Sequence, residues 1–398
     1  MPTEAYETLI LGAGLAGCAL AVHLARRSAG PTLLLDPRTL AGGATGRAAG
    51  IVTDQMWDRW DVAVTQETDR EYERRGSRLG PGAYRRTGFL RWTHRAEFVP
   101  LIEQAAKRFS DWGVAARLLD ASELRSRFPW GKFEEGVRGL YSPDAACVNP
   151  TELATDYLEE ARREGARVEL SRAVPPPHRE SGAWQLAFHG EELRARRLVI
   201  AAGAWSKRVA AEVGFPLALA PYRTQAALLR PPQAPPASFP AAHDVDLDVY
   251  LRPEEAGRIL VGDGTELKEV DPDRVEGGGT PEFLAHIGSA LAERWPGWAD
   301  SELNSAWSGV CDATPDRRPL IGPLDEEGSL FVLAGFNGFG VMRADGAARR
   351  LADLLVDGPG ERASEALRTV RPDRFGPAPP AFEPRPGFTL EDGPSPRC

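Results

Sequence analysis

The 398-residue chain is poor in cysteine, with only Cys18, Cys147, Cys311 and Cys398, and these lie far apart with no paired spacing. Neither a disulfide framework nor a zinc site can be built on such a set, and no metal is expected. Long hydrophobic runs are also missing, since no apolar stretch approaches the roughly 20 residues of a membrane span. The N-terminus reads as a strand instead of a signal peptide. Basic residues do not gather: 48 Lys and Arg face 57 Asp and Glu, a net charge of -9, with no sustained basic stripe. A nucleic-acid footprint is therefore excluded. Of six histidines, only His243 lies beside a loop expected to border a pocket; His23 falls on the first helix, and the rest have no partner at a catalytic spacing. There is no internal repeat. A cytoplasmic, reduced protein of about two domains is expected.

What the chain has is glycine in ordered blocks. "YETLILGAGLAGCALAVHLARR" predicts a strand over Thr8 to Leu11, a tight turn and a helix beginning near Leu15. In this context Gly12 allows the sharp turn, Gly14 lets the backbone approach a pyrophosphate, and Gly17 allows the helix to pack closely on the strand. A second strand, "TLLLD", ends in Asp36, about 20 residues on, where a carboxylate accepts hydrogen bonds from a ribose hydroxyl and repels a 2′-phosphate. Further along, "ELATDYLEEARREGARVEL" reads as an amphipathic helix, a stop at Gly165 and a strand. A buried strand over Leu198 to Ala201 runs into a turn at Gly203. From about Pro216 to Trp307 the texture changes, with the loop "RPPQAPPASFP", an alternating "DVDLDVYLRP" and "GRILVGDG", all more like antiparallel strands. The expected fold class is α/β: a discontinuous Rossmann-type dinucleotide domain (1–80, 141–215 and 308–371) and an α+β substrate domain on an antiparallel sheet (81–140 and 216–307). Residues 372–398 read as an irregular proline-rich tail.

Two more glycine-rich stretches follow: "LAGGATGRAAGIV" after Asp36, and "VLAGFNGFGVMRADGAARRLADLL" near the C-terminus. With "GAGLAG", "GATGRAAG", "VIAAGAWS", "VYLRP", "ILVGDG", "TPDRRPLIGP" and "GFNGFG" in this order over residues 8 to 355, the chain resembles the D-amino acid oxidase family of FAD-dependent oxidoreductases, which includes glycine oxidase, sarcosine oxidase and D-amino acid dehydrogenase. The resemblance implies non-covalent FAD. It puts Gly12, Gly14 and Gly17, with Leu15 and Ala16, on the pyrophosphate, and Asp36, with Pro37 and Arg38, at the adenosine ribose. Ala44, Thr45 and Arg47 would meet the phosphates and ribityl chain, and Ala49, Gly50 and Ile51 the isoalloxazine edge. Val174 would meet the adenine, and Ala202, Gly203 and Trp205 the diphosphate. Asn337, Gly338, Phe339, Gly340 and Val341 would bring amides to the flavin N1 and O2 region, where negative charge gathers on reduction.

The resemblance also implies a reaction: hydride passes from the carbon bearing an amine to the flavin, and the resulting imine is hydrolysed. The expected partners are an amine or amino acid and then oxygen or another electron acceptor. Several positions depart from the family pattern. Cys311 stands where glycine oxidase has the arginine that clamps the substrate carboxylate, and a thiol cannot form that bidentate pair. Gly309 occupies the position at which some sarcosine oxidases tether FAD through cysteine. Leu260 and Met342 replace lysines. Arg252 and Arg343 are then the candidates for a substrate carboxylate, Tyr250 matches the tyrosine that orients substrate, and Cys311 is a small residue near the flavin. Trp57 and Trp60 either wall the pocket or form a buried helical stripe. The alternatives are a classical glycine or D-amino acid oxidase with a relocated clamp, a flavin-holding subunit of a larger complex and, third, a nicotinamide dehydrogenase.

Overall fold

A computed structural model of the chain describes residues 4–263, 268–376 and 382. The apolar runs at Leu9–Leu11 and Leu33–Leu35 are buried on both faces, the signature of parallel strands covered on either side. Strand Glu4–Leu11 pairs in parallel with Thr32–Asp36 and with Glu191–Ile200. Arg167–Leu170 extends the layer beyond Thr32–Asp36, and Leu330–Ala334 pairs in parallel with the last residues of Glu191–Ile200. Helices Leu15–Arg26, Pro150–Arg163 and Gly340–Asp357 share one core over one face. Helix Ser206–Glu212 packs into a second core on the opposite face, and strand Ala183–Phe188 joins the same sheet by pairing antiparallel with Glu191–Ile200. Helix Pro150–Arg163 starts at proline with Asn149 capping it, and its chain turns at Gly165 before strand Arg167–Leu170. That segment is the amphipathic helix, stop and strand expected of it.

A second sheet of eight strands runs in the order Glu302–Ala313, Ala220–Arg230, Ile259–Asp263, Val249–Pro253, Ala241–Asp244, Phe89–Thr93, Arg138–Ser142 and Arg117–Leu119. All its pairings are antiparallel except that of Ala241–Asp244 with Phe89–Thr93. Helix Pro281–Arg294 and an aromatic cluster of Trp92, Phe133, Trp295 and Trp298 back this sheet. Such rings contribute about 0.5–1.5 kcal/mol per pair beyond their buried area.

The structure differs from the sequence reading at three places. The alternation in "DVDLDVYLRP" is not one strand: residues 245–248 form a turn between Ala241–Asp244 and Val249–Pro253, and Asp248 has φ 50. Asp244 closes that turn by accepting the amides of Asp246 and Leu247 at 2.9 and 3.1 Å. Of the alternating aspartates, Asp244 is thus turn chemistry, while Asp246 accepts the His94 amide at 2.7 Å and Asp248 lies 3.2 Å from His243 Nε2. Strand Glu302–Ala313 is continuous through the expected limit at 307/308, and Arg138–Ser142 runs through that at 140/141. In the expected tail, Pro372–Phe375 is a short 3-10 turn; the remainder, apart from residues 376 and 382, lies outside the described residues.

Candidate active site between the two sheets

The parallel and antiparallel sheets enclose a cavity of about 480 Å³. Its floor is the carboxyl end of the parallel strands, where open α/β sheets bind ligands. The turn after Glu4–Leu11 brings Gly12, Gly14, Leu15 and Ala16 to the cavity; Asp36, Pro37 and Arg38 follow the second strand; and Ala202, Gly203 and Trp205 follow Glu191–Ile200. Val174 also lines it. Helix Leu15–Arg26 opens at Gly14 without a side-chain cap, so its first-turn amides have no intrahelical acceptor. The Leu15 amide donates to Thr45 Oγ1 at 3.0 Å.

Gly17 is not on the cavity. A Cβ there would lie 2.0 Å from the Gly12 carbonyl oxygen, and one at Gly12, whose φ is 120, would lie 2.3 Å from the Ala201 carbonyl. Gly17 is therefore a packing glycine, as the spacing suggested, and not a lining residue as the resemblance implied. The Asp36 carboxylate accepts the amides of Ala13 at 2.7 Å and Arg38 at 2.8 Å, while burial raises its pKa against those bonds.

Ala44, Thr45, Arg47, Ala49, Gly50, Ile51 and Gly309 continue the lining. Asn337, Gly338, Phe339, Gly340 and Val341 line it at the start of helix Gly340–Asp357, which also lacks a side-chain cap. Buried Asp312 fixes the loop before that helix by accepting the amides of Gly335 at 2.6 Å and Phe336 at 3.3 Å. Its burial pushes its pKa up to about 6.

The roof is one face of the antiparallel sheet. Register places Arg91, His243, Tyr250, Gly262 and Ala226 opposite one another on successive strands. Residues directly opposite across a sheet share a face, and Arg91, His243 and Tyr250 all line the cavity. Gly262 makes room for the tyrosine, because a Cβ at that position would sit 2.1 Å from the Tyr250 ring. Tyr222 and Cys311, paired in register, line the same roof. Burial pushes the Cys311 thiol up to about 12, with the Asp312 carboxylate adding to the effect. Burial likewise holds the Tyr222 and Tyr250 phenols above their ordinary range. These groups are neutral hydrogen-bonding walls, and Cys311 is not a thiolate nucleophile.

Neither expected arginine reaches the cavity wall. Arg252 Nη1 donates to the Val148 carbonyl at 2.9 Å, and its other amino group pairs with Glu254. Arg343 is fully buried, its Nη2 2.8 Å from Asp61 Oδ1 and its Nη1 donating to the Phe336 carbonyl at 3.2 Å. Both brace the backbone of the lining loops. Trp57 lies just before helix Arg59–Leu79 and packs edge-on against Phe339, 4.5 Å between centroids, while Trp60 turns away to the Ala366 carbonyl. Met342 lines the cavity; Leu260 is buried outside its lining.

Sequence reasoning missed Arg91, Tyr222, Thr224, Asp248 and Asp263, all of which line the cavity. The signal for Arg91 was present: a single charge inside "FLRWT", a strand buried along its whole length. Asp263 pairs with His286 at 2.8 Å, and burial pushes its carboxyl up to about 6. His243 Nε2 lies 3.2 Å from Asp248 Oδ1. At the other end of the cavity, Arg38 stacks 3.5 Å over the Trp205 ring. Both bond Asp273 Oδ1, at 2.6 and 2.9 Å, and Arg208 bonds Asp273 Oδ2 at 2.6 Å.

The family profile described as FAD dependent oxidoreductase (DAO) matches residues 7–354. Human mitochondrial dimethylglycine dehydrogenase is 25% identical over 396 residues, covering 93% of this chain and 44% of that protein. The chain thus spans less than half the length of that relative. Glycine oxidase of Geobacillus kaustophilus is 25% identical over 369 residues, covering 89% of this chain and 93% of the relative. Among solved structures, L-proline dehydrogenase from P. horikoshii superposes with a TM-score of 0.84 at 22% identity, covering 94% of this chain and 98% of that one. That likeness is one of fold.

Proposed function

The chain belongs to the FAD-dependent oxidoreductase family, and from that premise we propose that it oxidises a C–N bond of a small amine or amino acid. The residues fit FAD. Asp36 offers a carboxylate at the ribose position, Gly12 and Gly14 keep the backbone bare beside an uncapped helix start, and the loop at Asn337–Val341 leads into a second uncapped helix. When bound, FAD supplies a two-electron acceptor that takes hydride from the carbon beside the nitrogen, leaving an imine for water to hydrolyse.

The chain's own residues position and polarise. The amides beginning helix Gly340–Asp357 offer a positive dipole end where negative charge develops. Tyr250, Tyr222 and His243 form the wall against which the amine lies, and the neutral phenols donate or accept hydrogen bonds without taking a proton away. An amine bound neutral then needs no side-chain base. The observation that carries this reading is that a polar, enclosed roof stands opposite that glycine loop across one cavity. Gly309 at the tether position and a protonated Cys311 support non-covalent attachment. Oxygen or another acceptor completes the cycle.

The test is anaerobic: purified protein is mixed with D- and L-amino acids, N-methyl amines and carboxylate-free amines while the visible spectrum is followed. The expected result is a yellow protein whose flavin is released by acid and bleached by some of these amines. Flavin that stays oxidised with all of them would favour the subunit of a larger electron-transfer complex, and a colourless protein with no affinity for FAD would sink the reading. Asp273 joins Arg38, Trp205 and Arg208 at the cavity rim through exposed charges, contacts worth about 0.2–1 kcal/mol each. Asp273→Ala is expected to speed FAD loss roughly fivefold at low salt, with the difference shrinking as salt rises. Stopped dilution with flavin fluorescence measures this, and equal off-rates at low salt would count against the clasp.

A further inference from the structure

We propose that Arg91, on the strand Phe89–Thr93, is the carboxylate-binding residue of the substrate end of the cavity. The inference rests on the amine-oxidation reading above and adds to it the substrate class: an amine that carries a carboxylate.

Four observations converge on this residue. Arg91 lines the cavity yet is only 3% exposed. It stands in register with His243, which stands in register with Tyr250, so the three side chains rise from one face at strand spacings of about 4.7–4.9 Å. The guanidinium lies 5.2 Å from the Phe89 ring centroid, another cavity residue, which directs it along that face. Among the described residues, the other cavity-lining arginines sit elsewhere: Arg38 and Arg208 at the Asp273 clasp, and Arg47 bonded through Nη1 to the carbonyls of Gly42 and Gly43.

The surrounding charges reinforce the choice. The carboxylates at this end are already engaged, Asp248 and Asp263 by their histidines and buried Asp312 by the amides of Gly335 and Phe336. Cys311, Tyr222, Tyr250, Thr224 and Met342 are uncharged. Burial holds the Arg91 guanidinium well below its ordinary pKa range, and a carboxylate meeting it there, away from water, interacts more strongly than at a solvated arginine. A substrate carboxylate on Arg91 and its nitrogen near Tyr250 place the oxidisable carbon below the roof, facing the glycine loop.

The experiment compares wild type with Arg91→Met and Arg91→Lys, each first shown to hold FAD with an unchanged visible spectrum. Matched pairs, proline with pyrrolidine and N-methylglycine with dimethylamine, are scored by anaerobic flavin bleaching. Acetate and cyclopentanecarboxylate, which cannot be oxidised, are titrated against the flavin spectrum. In Arg91→Met, the preference for the carboxylated member should fall by about 10²- to 10³-fold, the usual consequence of removing one partner of a buried charge pair. Arg91→Lys should recover part of that loss, and both acids should lose affinity in parallel. Equal losses for both members of a pair, or acids that bind Arg91→Met as they bind wild type, would overturn the assignment. Failure of every amine to bleach wild type would tell against amine oxidation, leaving the acid titrations to decide Arg91; wild-type flavin indifferent to both acids would overturn it.

Discussion

Arg343→Met is expected to be a folding mutant and not a substrate-binding one, losing about 3–5 kcal/mol in urea unfolding followed by circular dichroism. The side chains of Arg343 and Asp61 are 0% and 2% exposed and lie 2.8 Å apart. Removing Asp61 strands a buried guanidinium, and removing Arg343 leaves a carboxyl that burial already pushes up to about 7 beside its partner and that must take up a proton in the core, so either loss costs more than the pair is worth. Asp61→Leu combined with Arg343→Met should therefore recover most of the loss, because two apolar groups leave no charge behind. Because Arg343 also donates to the Phe336 carbonyl, the single mutant should hold FAD more weakly through a loosened loop. A variant as stable as wild type, with weaker binding of carboxylated amines only, would instead make Arg343 a substrate ligand.

The second large effect separates three glycines that look alike in sequence. Gly17→Ala drives a methyl to 2.0 Å from the Gly12 carbonyl, and Gly12→Ala drives one to 2.3 Å from the Ala201 carbonyl at a φ of 120. Both contacts are with backbone, so the helix or the strand must move. The cost should exceed the roughly 1–3 kcal/mol of ordinary overpacking. Little soluble protein is expected from either. At Gly14 the added carbon would meet only Thr45 Oγ1, at 3.3 Å; Gly14→Ala should fold with a near-normal melting temperature but lose flavin. Melting temperature and the ratio of flavin to protein absorbance distinguish the classes, and three variants with the same profile would refute the division.

The dinucleotide half was legible because its chemistry is local. Strand, turn, helix and acid sit within about 30 residues, and each glycine is fixed by a close approach along a short piece of chain. The substrate half was not, because its site is assembled by register. Nothing in "GFLRWTH" says that Arg91 will lie beside His243, some 150 residues away. Nothing in "VYLRP" says that Tyr250 will find space over Gly262 while Arg252, two residues on and on the same face, is taken up by carbonyls and Glu254. Arg252 and Arg343 were attractive by residue type alone; backbone carbonyls and a buried carboxylate settle what they do. Where alternation was misread, between Asp244 and Asp248, aspartate was satisfying turn amides and not marking the exposed face of a strand.

The parallel joint between Ala241–Asp244 and Phe89–Thr93 has a temporal meaning as well. Nearly all the segments that build the dinucleotide layer, including its central partner Glu191–Ile200, are threaded through the chain between or outside the two stretches that make the roof. Loop closure over such separations delays the first productive contacts. During synthesis Glu4–Leu11 soon meets Thr32–Asp36 and Phe89–Thr93 meets Arg138–Ser142, but the other edge of each must wait, exposed, for Glu191–Ile200 and Ala241–Asp244. The cavity is thus among the last features of the molecule to come into being, and a cut through the middle leaves two fragments, neither holding the whole of either eight-stranded sheet.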